Sequence, residues 1–186
     1  MQQDLRHSVI LVLGGVRSGK SRYAQQLAER SGRVTFVATA ERRDEEMRVK
    51  IERHRLQRPS HWVTIEEPLE LARAITSCAG VSDVVLVDCL TLFAANLLEL
   101  HGEDEAGLQS KIDDLYAALQ SVPCSVVLVS NEVGSGVVPA YASGRRFRDL
   151  VGEINQRVAA VADDVLFMVA GLPLVLKGSI RAEVRS

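Results

Sequence analysis

Ser8-Val-Ile-Leu-Val-Leu-Gly-Gly-Val-Arg-Ser-Gly-Lys-Ser21 runs from an apolar strand into a glycine-rich turn, and Arg22-Tyr-Ala-Gln-Gln-Leu-Ala-Glu-Arg30 carries on as a helix. Its second half, residues 14–21, fits G-x-x-x-x-G-K-[ST] in the strand–turn–helix setting that a phosphate-binding loop requires. The motif fixes a ligand class, a nucleoside triphosphate with Mg²⁺. Gly14 and Gly19 let the chain turn tightly, so that the backbone N–H groups of Gly15, Val16, Arg17 and Ser18 can approach phosphate oxygens. The helix that starts near Lys20 adds the partial positive charge of its N-terminus. Lys20 is expected to reach the β- and γ-phosphates and to serve catalysis, and Ser21 to ligate the metal. The side chain of Arg17 reads two ways, as a phosphate contact or as a solvated cation.

Outward from this loop, apolar runs alternate with helix-like stretches. Strands are expected at residues 9–13, 34–38, 62–65, 84–87, 126–129 and 165–169, and helices at 20–30, 44–55, 68–78, 90–100, 106–120 and 145–162. Continuous Val/Ile/Leu runs are those of strands buried on both faces. The alternation predicts a three-layer α/β domain of the P-loop NTPase type around a mostly parallel central sheet. Gly32 is placed to cap the first helix, Pro59 to close the second and Pro68 to open the third. Neither linkers nor repeats divide residues 1–186, which read as a single nucleotide-binding domain ending in a loose polar tail from about Lys177.

The bulk numbers narrow the function further. A chain of 186 residues with 47% hydrophobic content can bury a sizeable core. Net charge of −2 supplies no global field for nucleic acid. Cys78, Cys89 and Cys124 stand far apart, which speaks against a zinc site or disulfide framework and suits a reducing compartment. The polar N-terminus and the lack of an apolar run of about 20 residues predict a cytoplasmic protein without a membrane span.

In an open parallel sheet ligands bind beyond the carboxyl ends of the strands. Asp88 ends the run Val84-Val-Leu-Val-Asp88 there, the Walker B pattern of a carboxylate that holds Mg²⁺. A turn acid would look the same. Asn131-Glu-Val-Gly-Ser-Gly-Val-Val-Pro139 forms a shaped loop after another strand, suited to substrate contact or to simple connection. Arg145, Arg146 and Arg148 follow, able to clamp phosphate or to pair with Asp149 and Glu153 on a helix surface. Arg48, Lys50, Arg53, Arg55 and Arg58 surround His54, which on a helix shares a face with Met47, Ile51 and Arg58. Cationic neighbours favour a neutral, nucleophilic imidazole. A basic solvated helix with an incidental histidine accounts for the same pattern. His7, His61 and His101 lack metal-ligand spacing and read as structural or solvated, and Trp62 as core.

Taken in order, GGVRSGKS (14–21), VATA (37–40), RHR and RP within 53–59, HW (61–62), VDCLT (87–91), SNEVGSGVVP (130–139), RRFRDLVGEINQRVAAVAD (145–163) and VAGLPLVLK (169–177) resemble the bifunctional adenosylcobinamide kinase / adenosylcobinamide-phosphate guanylyltransferase family of cobalamin biosynthesis, over nearly the whole chain. The loop alone is common to many families; NEVGSGVVP with FRDLVGEINQ is far more specific. The resemblance implies two reactions. ATP or GTP phosphorylates the aminopropanol hydroxyl of adenosylcobinamide, and GTP then gives GMP to that phosphate, with release of pyrophosphate. It also implies a covalent guanylyl-histidine at His54, and nucleotide contacts from Ala38, Thr39, Ala40, Gln57, Arg58, Pro59, Ser60, Glu66 and Asp88. A homotrimer is implied as well. Some members carry two adjacent histidines where this chain has Arg53 and His54.

Two rivals use the same loop. A monofunctional P-loop kinase needs Lys20, Ser21 and Asp88 but not His54. A nucleotide-dependent binding module or GTPase would hydrolyse without transfer, and the chain lacks the N-K-x-D signal of guanine-reading GTPases.

Overall fold

Val, Ile and Leu fill the middle of one sheet, and their alternation assigns them to two separate cores. The computed structural model describes residues 7–41, 45, 48, 49, 52, 55 and 58–179. In chain order they form β1 (Val9–Gly14), α1 (Lys20–Ala28), β2 (Val34–Ala38), β3 (Val63–Glu66), α2 (Leu71–Ser77), β4 (Val84–Asp88), α3 (Leu90–His101), α4 (Glu105–Ser121), β5 (Ser125–Asn131), α5 (Ala142–Val161), β6 (Asp164–Val169) and β7 (Leu172–Lys177). Glu45, Arg48, Val49, Glu52 and Arg55, between β2 and β3, are helical. The sheet order is β3-β2-β4-β5-β1-β6-β7, and every pairing is parallel except β6 with β7.

On one face Leu11, Val85, Val87, Val126 and Leu128 pack beneath α2, α3, α4 and α5 through Ile75, Phe93, Leu97, Ile112, Leu115 and Ile154. On the other, Ile10, Val12, Phe36, Leu86, Val127 and Val129 lie beneath Tyr23, Ala24 and Leu27 of α1 and beside Trp62. Two helix layers thus enclose the sheet, as strand–helix alternation predicts. A fully buried side chain such as Phe36 or Leu86 contributes about 1.5–3 kcal/mol. Asp88 continues the Val84, Leu86 series, so this carboxylate emerges on the α1 face.

Four local expectations change. Gly32 is not a left-handed cap, since α1 ends at Ala28 with the Glu29 amide bonded back to Gln25 O at 2.9 Å. A Cβ at Gly32 would lie 2.6 Å from Asp83 Oδ2 instead. Pro68 precedes α2 rather than opening it, because the Glu67 carboxylate accepts from the Leu69 and Glu70 amides and holds a turn there. The six expected strands omit β7, whose Pro173 and exposed Leu172, Leu174 and Leu176 suit an edge strand. Lys177, expected in a loose tail, closes β7; Nζ donates to Ala159 O and Ala160 O at the end of α5, and the Ser179 amide donates to Asp164 Oδ1 at 2.8 Å. No helix among the described residues is long and apolar enough to cross a membrane.

Candidate nucleotide site

The carboxyl ends of β1, β2, β4 and β5 lie along one sheet edge, and the glycine-rich loop leaves β1 at its centre. Gly14 is wedged: a Cβ there would sit 2.5 Å from Ser18 Oγ and 2.8 Å from Met168 O. Gly19 turns the chain at φ +94° into α1, and Arg17 adopts φ +56°. Within the loop the Ser18 amide donates to Gly15 O at 3.3 Å and Lys20 Nζ to the same carbonyl at 3.0 Å. Gly19 offers α1 no capping side chain, which leaves the first helical N–H groups to an anion. The Ala170–Gly171 turn between β6 and β7 braces the loop from outside, with the Gly171 amide donating to Ser18 O at 2.9 Å. That brace comes from the hairpin absent from the sequence expectation.

Ser21, in the first turn of α1, and Asp88, on the α1 face at the end of β4, supply the hard oxygens that suit Mg²⁺. Next to Asp88 the Cys89 thiol is pushed up to about 11, by burial first and then by the Asp88 charge. It is therefore neutral and no competitor as a nucleophile.

The β2 end is stitched by side chains. Thr39 is fully buried; its hydroxyl donates to Cys89 O at 2.7 Å and accepts from Cys89 N at 2.8 Å. Asn96 Nδ2 of α3 donates to Thr39 O at 2.8 Å and to Pro68 O at 3.1 Å. Ala38 O receives the Glu67 amide at 2.8 Å, and Ala40 follows half-buried. Arg58 lies in a bend past the helical residues and stacks over the Phe36 ring, 3.5 Å from its centroid. Burial pulls the Arg58 guanidinium below its ordinary value; the Asp88 charge opposes this, with smaller effects from Arg55 and Glu66. Arg58 Nε is buried without a hydrogen-bond partner. Pro59 O accepts the Trp62 amide, Ser60 is exposed, and Glu66 ends β3.

At the β5 end, Asn131 lies opposite Gly14, and the Glu132 amide donates to Gly14 O at 3.1 Å. The Glu132 carboxylate turns inward to accept the Gly134 amide at 2.5 Å. Arg145, Arg146 and Arg148, in the first turns of α5, take backbone carbonyls and Glu105 as partners. Arg145 holds Pro139 O and Ala140 O, Arg148 holds Gly134 O, and Arg146 pairs with Glu105 and with Gly102 O. Arg145 and Arg148 shape the loop, and Arg146 ties α5 to the α3–α4 connection. Sequence reasoning missed that function because backbone carbonyls have no signature in a sequence.

The structure thus brings together the 14–21 loop, Ala38, Thr39, Ala40, Arg58, Glu66 and Asp88 along one edge. His54 and Gln57 lie outside the described residues. Among the described residues no His/Cys/Asp/Glu cluster could hold a metal on its own, and all three cysteines are free and buried.

A family model described as cobinamide kinase / cobinamide phosphate guanyltransferase (CobU) matches residues 10–176. A bifunctional adenosylcobalamin biosynthesis protein CobP of Pseudomonas aeruginosa is 47% identical over 169 residues, covering 90% of this chain and 96% of the relative. The corresponding CobU protein of Escherichia coli K12 is 41% identical over 180 residues, covering 91% and 99%. Among solved structures, a KaiC-like protein of Pyrococcus horikoshii superposes with a TM-score of 0.55 at 14% identity, over 97% of this chain and 84% of that one. A type III secretion ATPase superposes with a TM-score of 0.57 at 13% identity, over 87% and 51%. The structural likenesses speak for the P-loop NTPase fold alone.

Proposed function

The chain belongs to the cobinamide kinase / cobinamide phosphate guanyltransferase family, and from that premise we propose how one nucleotide site serves both transfers. It is a transferase of cobalamin biosynthesis: it phosphorylates adenosylcobinamide and then attaches GMP to the phosphate, giving adenosylcobinamide-GDP. The observation that carries the site assignment is the braced loop beside Asp88 on a shared face.

The loop amides and Lys20 hold the triphosphate in both reactions, which converts each transfer into an oriented, effectively unimolecular step. Ser21 and Asp88 would hold Mg²⁺, which would supply neutralisation of the charge that builds on the phosphate oxygens. In the first reaction the γ-phosphoryl goes to the substrate hydroxyl. In the second, His54 attacks the α-phosphorus of GTP, pyrophosphate leaves, and the cobinamide phosphate displaces the histidine. Arg58, Pro59, Ser60 and Glu66, with Ala38, Thr39 and Ala40, frame the nucleotide from the β2–β3 side, where the Thr39 hydroxyl works through its grip on the Cys89 backbone. The chain also works as a homotrimer in the cytoplasm; the exposed leucines of β7, and Val137 and Val138 of the β5–α5 loop, favour self-association, which sedimentation velocity measures.

[α-³²P]GTP tests the covalent step. Acid-labile, alkali-stable label on the wild-type protein, lost in His54→Ala while cobinamide phosphorylation persists, is the expected result. Equal loss of both activities in His54→Ala would sink the division of labour.

A further inference from the structure

Asn131 lies at the centre of the site edge, and the two reactions above leave its side chain without a task. β5 lies between β4 and β1, hence between the strand that ends in Asp88 and the strand that ends in Gly14. Its residues alternate between the cores, with Val127 and Val129 on the α1 face. Asn131 is next in that series and emerges on the same face as Asp88 and the loop helix. Its backbone is fixed on both sides. The amide donates to Thr91 Oγ1 at 2.8 Å, and the carbonyl accepts from Asn155 Nδ2 at 3.0 Å. The next amide, of Glu132, donates to Gly14 O. Yet Asn131 Oδ1 is buried and receives no hydrogen bond.

A buried amide oxygen without a donor is costly, and it accepts only. Triphosphate oxygens are acceptors too and cannot satisfy it. At the phosphate end of the site, the donor that the kinase reaction brings is the O–H of the acceptor alcohol. We infer that Asn131 Oδ1 accepts the hydrogen bond of that hydroxyl and aims its oxygen at the γ-phosphorus, an inference that rests on the kinase reading. In the step, the hydroxyl oxygen forms the new P–O bond. The bond from the γ-phosphorus to the β–γ bridging oxygen breaks, and its electron pair leaves with the nucleoside diphosphate. The hydroxyl proton passes to a non-bridging oxygen of the transferred phosphoryl group and from there to water. Asn131 remains a neutral amide throughout, an orienting contact rather than a base.

The full-length protein with Asn131→Leu, which keeps volume and removes the acceptor, and Asn131→Asp, which keeps an oxygen in place, separates the outcomes. Adenosylcobinamide phosphorylation, fluorescent-nucleotide affinity with Mg²⁺ and thermal melting are measured together; Asn131→Ala, which also lacks an acceptor, replaces the leucine variant if that one melts early. Asn131→Leu is expected to bind nucleotide within about twofold of wild type while kcat falls about 100-fold, the loss typical of one hydrogen bond made at the reacting group. Asn131→Asp is expected to recover about tenfold of that loss, and the pH dependence of kcat to keep its shape in the leucine variant. Unchanged kcat in Asn131→Leu overturns the assignment. So does a loss of nucleotide or Mg²⁺ affinity that matches the loss of kcat, which would give the oxygen to a water of the hydrated cation. If the wild-type protein binds nucleotide and makes no phosphorylated cobinamide, the kinase reading itself falls and takes the assignment with it.

Discussion

The site edge is built in two ways. At its β1 end the contacts are backbone and the key residues are glycines: Gly14 fits because a Cβ would strike Met168 O, and Gly171 approaches closely enough to donate to Ser18 O. At its β2 end the contacts are side chains: Thr39 grips Cys89 from fifty residues away, Asn96 reaches back to Thr39 and Pro68, and Arg58 rests on Phe36. The first construction presents donors at fixed positions for a ligand that every nucleoside triphosphate shares. The second sets the spacing between strands and the charge around Asp88, which is where one nucleotide chemistry can be distinguished from another.

The difference is sharpest in what single substitutions should do. Lys20→Ala removes the lysine that the loop motif specifies and is expected to lower both transfers by about 100-fold or more, as loss of a contact to developing phosphate charge does. Phosphorylation of cobinamide and guanylylation from labelled GTP, assayed side by side, check it; one activity left intact would mean two separate nucleotide sites. Gly14→Ala should come next. Its Cβ meets backbone at 2.8 Å, so the loop or β6 must move, at a cost of about 1–3 kcal/mol. Gly15→Ala is its control, since nothing lies within 4 Å of a Cβ there. A clear fall in urea midpoint for Gly14→Ala and none for Gly15→Ala would uphold a wedged β1 end; equal falls would remove it.

What could be read in the sequence follows the same division. The loop, Asp88 and the buried strands are written in contiguous residues with a fixed period, and the parallel sheet came from them. The brace at Gly171 could not be read, because Leu172-Pro-Leu-Val-Leu-Lys177 lacks alternation and carries a proline that only an edge strand admits. Gly32 was legible as special but for the wrong reason: the close Asp83 carboxylate, not a left-handed backbone, explains it. The grip of Thr39 on Cys89 and the unpaired oxygen of Asn131 depend on which strands are neighbours, a property that no local pattern holds. Arg145, Arg146 and Arg148 read equally well as clamps on phosphate or substrate and as partners of Asp149 and Glu153, whereas the structure turns them mainly to backbone carbonyls.

Thr39→Val tests the stitched end at moderate size. The replacement keeps the shape and deletes the hydroxyl, so that the Cys89 amide loses its partner in a dry environment, while Cys89 O keeps the Phe93 amide at 3.2 Å. Leaving buried backbone groups unpaired costs about 1–3 kcal/mol. Denaturant unfolding should show that loss. Because the Asp88–Cys89 segment is what Thr39 holds, KM for the nucleotide should rise as well. A valine variant as stable as wild type would mean that the β2–β4 backbone ladder holds this end without the hydroxyl.

The smallest effect is expected from Arg58→Leu, and its sign is informative. Arg58 is kept charged against the cost of burial, and the Asp88 carboxylate is the largest influence that offsets that cost. Removing the cation removes the burial cost together with the attraction, and the leucine can still cover Phe36, so stability should change little. The metal site changes more. A positive charge near Asp88 repels Mg²⁺, and its removal should lower the Mg²⁺ concentration for half-maximal kinase activity by about two- to fivefold, less at high salt. Arg58→Lys keeps the charge without the planar stack on Phe36, so it should hold the wild-type Mg²⁺ requirement while losing about 0.5–1 kcal/mol of stability. A Mg²⁺ requirement that rises in Arg58→Leu, with a weaker nucleotide affinity, would place the guanidinium on the nucleotide itself, and the β2 end would then bind the ligand as directly as the β1 end does.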